Sequence, residues 1–255
     1  MKKNKKNLIK NLLIDDLEKL GVSSGDTVLV HSSYKSLGLS EGNPALVVEA
    51  LKEALSDGTL LLPALSYENV TKTNPRFSVL ETPSCVGVIP ETFRKSEGVY
   101  RSVHPTHSVC AWGKLAKEYT ESHYKDKTPV GPNSPFTLLA EQRGKLLMLG
   151  CGLEPNTLIH GVEEKIGTPY VLSKETTNFQ IVYSDGRQEE TEHITHNFFN
   201  ENGEHVDQRY DRILQVLPIK GGMVAGAVAY LLDAKAVWEM AARKISLDPW
   251  FFVDK

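Results

Sequence analysis

The chain has 255 residues, of which 40% are hydrophobic and 24% are charged, so its composition excludes a fibrous or an intrinsically disordered protein. Its apolar runs are too short to cross a bilayer, and its three cysteines show neither a disulfide framework nor the C-x-x-C spacing of a zinc site. This cysteine pattern fits a reducing cytoplasm best, so we expect a cytoplasmic protein without a membrane partner. The formal net charge is −3, and the acidic stretch 154–211 disfavours nucleic acid and suits a cationic ligand, although it could also be a solvated acidic face.

The first third of the chain alternates helices and strands. A helix is predicted from residue 7 to residue 20, and the β-rich run 26–31 follows a short turn. Asn43 and Pro44 open a second helix, and the run 59–62 forms a second strand. This alternation predicts an α/β fold with parallel pairing between the two strands.

The rest of the chain continues to mix helices with strands, apart from a polar loop over residues 64–84. We expect a mixed, partly parallel sheet flanked by helices, within a single domain of residues 1–255. In chain order, the pattern predicts a helix at 89–96, a strand at 108–112, helices at 114–123 and 135–142, a strand at 145–149, a short helix that starts near 156, a hairpin of 179–183 with 189–196, and an alanine-rich helix at 224–243.

The short helix that starts near Asn156 carries a candidate general base. His160 and Glu163 are three residues apart, so they lie on the same helical face. A carboxylate beside an imidazole can fix its tautomer and raise its basicity, which an amine nucleophile requires at neutral pH. The H-x-x-E pattern alone also fits a structural histidine beside a surface acid.

A second polar cluster stands at the end of the first strand. His31, Ser32 and Ser33 combine small hydroxyls with free backbone N–H groups, which suit contacts with phosphate or amide groups. The same residues could simply cap a helical turn. A hydrolase nucleophile is disfavoured, because Ser32 does not stand in a G-x-S-x-G motif.

A third cluster precedes the strand 108–112. His104 and His107 could contribute to a metal site, but no third ligand stands at a familiar offset, so we predict no metal. Cys110 could carry an acyl group as a thiolate nucleophile. Its place within an apolar strand favours a buried, inert thiol instead.

The order of the motifs is more specific than any one of them. The series consists of Gly25-Asp26-Thr27-Val28 with His31-Ser32-Ser33, Gly58-Thr59-Leu60 with Pro63, Arg101-Ser102 with His104-Pro105 and Ser108, Gly131 with Ser134-Pro135, Leu149-Gly150-Cys151-Gly152, Asn156-Thr157 with His160 and Glu163, and Gly226-Ala227. In this order the sequence resembles the aminoglycoside 3-N-acetyltransferase family, also called the antibiotic N-acetyltransferases, over nearly the whole chain.

The resemblance implies an α/β fold distinct from that of the common N-acetyltransferase superfamily. It implies acetyl-coenzyme A as the donor, no metal, and the 3-amino group of a cationic aminoglycoside antibiotic as the acceptor, and it allows a homodimer. It places the catalytic pair at His160 and Glu163. The donor-binding residues that it implies are His31, Ser32, Ser33, Tyr34, Lys35, Ser36, His104, Thr106, His107, Ser108, Val109, Gly131, Ser134 and Phe136.

The acceptor side is expected in a subregion at about 154–220. For this side we predict contacts with Tyr67, Glu164, Glu192 and His196. Backbone N–H groups near Ser32 and Ser33 would stabilise the oxyanion of the transition state.

The sequence departs from the family pattern at two places. Tyr34 follows the two serines, where a leucine-like residue is usual, and Gly161 stands next to His160, where leucine is frequent. A glycine costs about 1 kcal/mol of helix stability, which indicates either a tight approach or looser packing.

Three other functions remain open at this point. The protein could acetylate a different amine metabolite. It could be a metal-dependent hydrolase that uses the histidines of the 104–107 run together with His160. It could also be a binding module that holds coenzyme A without catalysis.

Overall fold

The computed structural model describes residues 2–39 and 43–254. Within them the elements are α1 (Lys2–Leu20), β1 (Thr27–Ser32), α2 (Pro44–Ala54), β2 (Thr59–Pro63), β3 (Arg76–Ser78), α3 (Val88–Arg94), β4 (Tyr100–Arg101), β5 (Val109–Gly113), α4 (Ala116–Thr120), α5 (Pro135–Glu141), β6 (Lys145–Leu149), α6 (Thr157–Ile166), β7 (Leu172–Val182), β8 (Gln188–His196), β9 (Asp207–Gln208), β10 (Lys220–Val224), β11 (Ala227–Asp233), α7 (Ala234–Leu247) and β12 (Val253–Asp254). Short 3-10 helices occupy Lys35–Leu37, His123–Lys125 and Tyr210–Gln215.

The main sheet has seven strands in the order β10-β11-β6-β1-β2-β5-β4. Its centre is parallel, because β1 pairs in parallel with both β2 and β6. The flanking pairs, β2 with β5 and β6 with β11, are antiparallel. The expectation of a mixed, partly parallel sheet flanked by helices is therefore confirmed.

Both faces of this sheet are covered, which explains why its central strands read as nearly continuous apolar runs. Val28 and Val30 of β1 face one hydrophobic cluster, formed with α1, α2 and α3. Leu29 faces the other cluster, formed with α5, α6 and α7. Successive side chains of one strand thus serve opposite cores.

A second sheet of three strands, β3-β7-β8, stands apart from the main one. The strands β7 and β8 form the expected hairpin, which is longer than the sequence pattern indicated. The predicted loop over 64–84 contains the short strand β3, which pairs in parallel with β7. Three residues without a clear alternation gave no local signal of this strand.

The predicted helix over 224–243 is wrong in its first part. Residues Ala227–Asp233 form β11, and α7 begins only at Ala234, where the Asp233 side chain accepts a hydrogen bond from the Ala236 amide and caps the helix. The alanines favour a helix locally, but β11 supplies the hydrogen-bond partner for the edge of β6. Tertiary pairing therefore overrides helix propensity here.

The helices formed by residues 2–39 and 43–254 do not include one with both the length and the apolar character that crossing a bilayer requires.

Candidate active site

The helix α6 holds His160 in a fixed position at the edge of the core. Leu158, Ile159 and Val162 are fully buried on its inner side. A Cβ on Gly161 would lie 2.7 Å from Cγ1 of Val130 and 2.9 Å from the ring of Trp238. The glycine beside His160 therefore reflects a tight approach rather than loose packing.

The imidazole of His160 takes part in a hydrogen-bonded network on one side of its ring. Its Nδ1 lies 2.7 Å from the hydroxyl of Tyr210 and 3.3 Å from Oε2 of Glu163. The same hydroxyl is 2.9 Å from Oε2 of Glu163. The predicted pair of His160 and Glu163 is thus joined by a tyrosine.

The hydrogen-bond directions in this network assign the tautomer of His160. Because the Tyr210 hydroxyl donates to Oε2 of Glu163, it accepts from Nδ1 of His160, and the lone pair of the ring then lies on Nε2. The described residues give Nε2 no hydrogen-bond partner, and His160 lines a cavity. This arrangement suits a general base.

Glu163 is completely buried, and two tyrosines solvate its carboxylate. Tyr170 donates to Oε1 at 2.8 Å, while Tyr210 donates to Oε2. Burial of Tyr210 and the nearby Glu163 carboxylate raise the pKa of this phenol well above its ordinary value, so the hydroxyl stays protonated. A buried carboxylate with strong donors provides fixed charge for an imidazolium that forms next to it.

A cavity of about 750 Å³ lies beside His160. It is bounded by the end of β1, the chain after β2, the start of α6 and the hairpin of β7 and β8. Such a volume is typical of small-molecule sites. The sequence-predicted site residues that line it are His31, Ser32, Tyr67, Thr106, His107, His160 and His196.

The end of β1 contributes two polar side chains that lack partners among residues 2–39 and 43–254. Within this part of the chain, the buried atoms His31 Nε2 and Ser32 Oγ have no hydrogen-bond partner. Burial lowers the pKa of His31 to about 3, so the ring is neutral. Unpaired buried polar atoms in the wall of a cavity are the feature expected where a ligand with amide or carbonyl groups completes the hydrogen bonding.

The neighbouring residues of the β1 loop have structural roles. The Ser33 amide donates to the Leu149 carbonyl at 2.9 Å, so it is not free to stabilise an oxyanion, and that expectation is wrong for Ser33. The Ser36 hydroxyl donates to Ser33 Oγ, while Tyr34 packs against the core. Ser33, Tyr34, Lys35 and Ser36 do not line the cavity.

The run before β5 divides between the cavity and the core. Thr106 and His107 line the cavity and are joined by a 2.9 Å hydrogen bond between Thr106 Oγ1 and His107 Nδ1. His104 lies behind them, where its Nδ1 accepts from the His107 amide. Ser108 donates to the Ala64 carbonyl, and Val109 lies in the core, so neither lines the cavity.

The loop before α5 supports the site from outside the cavity. Ser134 caps α5 through the Phe136 amide, and Phe136 stacks on His31 with ring centroids 6.3 Å apart. Gly131 packs so closely on Asp126 that a Cβ would lie 2.7 Å from its carboxyl carbon. Gly131, Ser134 and Phe136 do not themselves line the cavity.

The predicted acceptor residues are also distributed on both sides of the wall. Tyr67 and His196 line the cavity, whereas Glu164 lies behind His196. Glu192 is exposed and does not line it. Glu192 pairs across the hairpin with Asn178, on the face opposite to Thr177, and Thr177 is in the cavity wall.

The thiol of Cys110 lies in the core of the main sheet. Its side chain is fully buried, and burial raises its pKa to about 12. A thiol in this state is a poor nucleophile. In the described part of the chain, no group of three or more His, Cys, Asp or Glu side chains is arranged to hold a metal ion.

Tyr210 and Tyr170 are the members of this hydrogen-bonded network that sequence reasoning missed. Tyr210 is 50 positions from His160, so no local spacing connects the two. Arg209, the preceding residue in the chain, forms ion pairs with both Asp211 and Asp254. Only the fold reveals the relation.

The match to a known family covers most of the chain. The sequence model of the aminoglycoside 3-N-acetyltransferases matches residues 29–246. The chain belongs to this family. The chain is 32% identical over 249 residues to aminoglycoside N(3)-acetyltransferase IV from Salmonella sp, and this alignment covers 94% of the chain and 88% of the relative. It is 34% identical over 175 residues to aminoglycoside N(3)-acetyltransferase VIII from Streptomyces fradiae, covering 62% of this chain and only 61% of that relative.

Solved structures of acetyltransferases share the fold of this family member. The apoenzyme of aminoglycoside acetyltransferase AAC(3)-IVa superposes with a TM-score of 0.77 at 28% identity, covering 95% of this chain and 90% of that one. A histidine-to-alanine variant of the same enzyme was crystallised with a gentamicin. The YokD protein from Bacillus subtilis gives a TM-score of 0.79 at 26% identity, covering 94% of each chain.

Proposed function

We propose that this protein transfers the acetyl group of acetyl-coenzyme A directly to the 3-amino group of an aminoglycoside, with His160 as the general base. One observation carries the proposal. The Nδ1 side of the His160 ring contacts Tyr210 and Glu163, while Nε2, beside the cavity, has no hydrogen-bond partner among the residues that the structure describes. Membership of the family supports acetyl transfer as the reaction type.

The role of His160 follows from the charge of its substrate. An ammonium group must lose a proton before its nitrogen can attack an acyl carbon, and Nε2 can take that proton. The imidazolium that results lies beside the carboxylate of Glu163, to which it is joined through Tyr210. Because the carboxylate is already in place and solvated, little reorganisation is needed when the charge forms.

Acetyl-coenzyme A would supply the acetyl group as an activated thioester. His31 and Ser32 fit such a donor, because their side chains in the cavity wall leave Nε2 and Oγ unpaired. We propose that they bind amide or carbonyl groups of its pantetheine arm. Thr106 and His107 would then close the same side of the cavity.

The acceptor would bind between α6 and the hairpin of β7 and β8. Side chains from 154–220 form this part of the wall, among them Thr177, Phe198 and Gln208. The complex of AAC(3)-IVa with a gentamicin supports an aminoglycoside, because that enzyme has the same fold. We expect the reaction to proceed in a ternary complex.

One observation favours a different amine as the second candidate. Among the described residues of the cavity wall, the carboxylates are those of Glu154 and Glu175, and Glu175 is already paired with Lys72 at 3.0 Å. A pocket with so few free carboxylates also suits an acceptor with fewer ammonium groups than an aminoglycoside.

The test is thiol release from acetyl-coenzyme A across a panel of aminoglycosides and simpler amines. We expect release that depends on the acceptor and falls roughly 100-fold or more in His160→Ala. Lys165→Ala, an exposed position in the same helix, is the matched control and should retain wild-type turnover. Undiminished kcat in His160→Ala would exclude it as the base, and release only with simpler amines would select the second candidate.

A further inference from the structure

Behind the cavity wall lies a second pair of a carboxyl and an imidazole, separate from His160 and Glu163. Glu164 Oε1 is 2.7 Å from His196 Nε2, and the two side chains are only 5% and 7% exposed. The Val130 amide also donates to Oε1 at 2.8 Å, which fixes the carboxyl group in this orientation. The contact therefore joins two groups that both have little access to water.

His196 stands between the other imidazoles of the site. Its ring centroid is 4.7 Å from that of His160 and 4.6 Å from that of His107. The residue lines the cavity. With Nε2 directed to Glu164, Nδ1 is left without a hydrogen-bond partner among the described residues, and it is not one of the enclosed atoms.

The number of protons on the pair decides what Nδ1 can do. When the pair holds two protons, either the carboxyl group donates to Nε2 or the imidazole is an imidazolium, and Nδ1 carries a hydrogen in both cases. When the pair holds one proton, Nε2–H donates to the carboxylate and Nδ1 has a free lone pair. The outcome does not depend on how the proton is shared between the two residues.

We propose that the Glu164–His196 pair is a specificity-determining unit, which presents Nδ1 of His196 to the acceptor as a hydrogen-bond donor when protonated and as a hydrogen-bond acceptor when deprotonated. This inference rests on the proposed function. In the deprotonated state Nδ1 accepts from an ammonium or hydroxyl group of the acceptor. In the protonated state it repels the same ammonium group.

The transition falls close to neutral pH. Burial raises the pKa of Glu164 to about 7, and burial lowers the pKa of His196 well below its ordinary value. Both shifts favour neutral forms, so the extra proton resides on Glu164. Among the described residues, the titratable or charged side chains around the pair include His104, His107, Asp126, Lys127, His160, Glu163, His193 and Tyr210.

The decisive experiment follows the ring nitrogens of His196 in the whole protein by ¹⁵N NMR between about pH 5 and about pH 8. The signals are assigned by their loss in His196→Gln. We expect Nδ1 to change from protonated at the acidic end to unprotonated at the basic end. In Glu164→Gln the Val130 amide favours the carbonyl oxygen at the position of Oε1, where it accepts Nε2–H, so Nδ1 should stay unprotonated across this pH range.

The matched control is Glu121→Gln, at an exposed glutamate distant from the pair in sequence, which should titrate like the wild type. An Nδ1 that keeps one protonation state in the wild type overturns the proposal, whether or not Glu164→Gln folds. An unchanged titration in a folded Glu164→Gln overturns it as well. These measurements need no substrate, so they stand even if acetyl transfer is never observed.

The kinetic counterpart is the KM for the acceptor. Across the same range, acidification should raise KM roughly 3- to 10-fold more in the wild type than in Glu164→Gln, which is the effect of one hydrogen bond. Equal pH dependence of KM in both proteins counts against the role in specificity. Absence of all turnover counts against the proposed function instead.

Discussion

Removal of the Tyr210 hydroxyl tests whether the hydrogen bonds from Glu163 through Tyr210 to His160 orient the base. In Tyr210→Phe the ring remains in the core, but the hydroxyl contacts to His160 at 2.7 Å and to Glu163 at 2.9 Å are lost. Glu163 keeps its hydrogen bond from Tyr170 at 2.8 Å and its longer contact with Nδ1 at 3.3 Å. The variant therefore weakens the orientation of His160 without removing the base or the carboxylate.

The magnitude follows from the value of a hydrogen bond to a charged group. Such a bond contributes about 1.5 kcal/mol or more, so kcat should fall roughly 10-fold, less than in His160→Ala. The free energy of unfolding should fall by about 1–3 kcal/mol, because Oε2 of buried Glu163 loses a donor. For a chain of this size that is a decrease in Tm of about 2–4 °C for each kcal/mol.

The assay is steady-state thiol release together with thermal unfolding. Tyr124→Phe, at a tyrosine that is 49% exposed, is the matched control and should change neither quantity. The double variant of His160→Ala with Tyr210→Phe should be no slower than His160→Ala alone, because both changes act through the same proton transfer. A wild-type kcat in Tyr210→Phe would refute this orienting role of Tyr210. So would a double variant in which the two single-variant losses of kcat are fully additive.

Two further predictions concern stability. Gly161→Ala should destabilise the protein by about 1–3 kcal/mol in urea unfolding, although alanine favours helices by about 1 kcal/mol, because the Cβ would clash with Val130 and Trp238; a stabilised variant would contradict the tight packing. Acidification below pH 6.5 should lower the free energy of unfolding by at least about 1 kcal/mol per pH unit. The reason is that burial depresses the pKa values of six histidines in the folded state. These histidines stabilise the folded state above pH 6.5, and their contribution is lost as the pH falls toward about 3. Glu164 and Asp126, whose pKa values are raised by burial, act in the opposite direction, as two groups against six. An unfolding midpoint that is equal at neutral and acidic pH would disprove the argument. The six buried histidines are His31, His104, His107, His123, His193 and His196.

The sequence predicted the elements whose local pattern agrees with their tertiary role. The central strands β1, β2 and β6 were found because both their faces are buried, which makes them apolar throughout. The strand β11 was missed because its alanines favour a helix, and only its pairing with β6 makes it a strand. Local propensity was therefore insufficient where a neighbouring strand decided the conformation.

The same distinction between local and tertiary information applies to the residues of the candidate site. The spacing of His160 and Glu163 is a local signal, and the structure places their side chains in contact as the helical periodicity indicated. Tyr210 reaches the same carboxylate from another element, so sequence spacing carries no trace of it. Glu192 was chosen for its charge, but its partner across the hairpin is Asn178, on the face of β7 opposite to Thr177 of the cavity wall.

The ion pair of Lys72 and Glu175 in the cavity wall has a consequence for how cations enter. Both side chains are largely exposed, at 73% and 77%, so the pair itself is weak. A cationic guest that binds Oε2 of Glu175 nevertheless displaces the ammonium of Lys72, and the number of paired charges then stays the same. Binding of a cation at this position exchanges one ion pair for another and does not neutralise a free charge. Added salt should therefore weaken this binding less than it weakens binding to a free carboxylate.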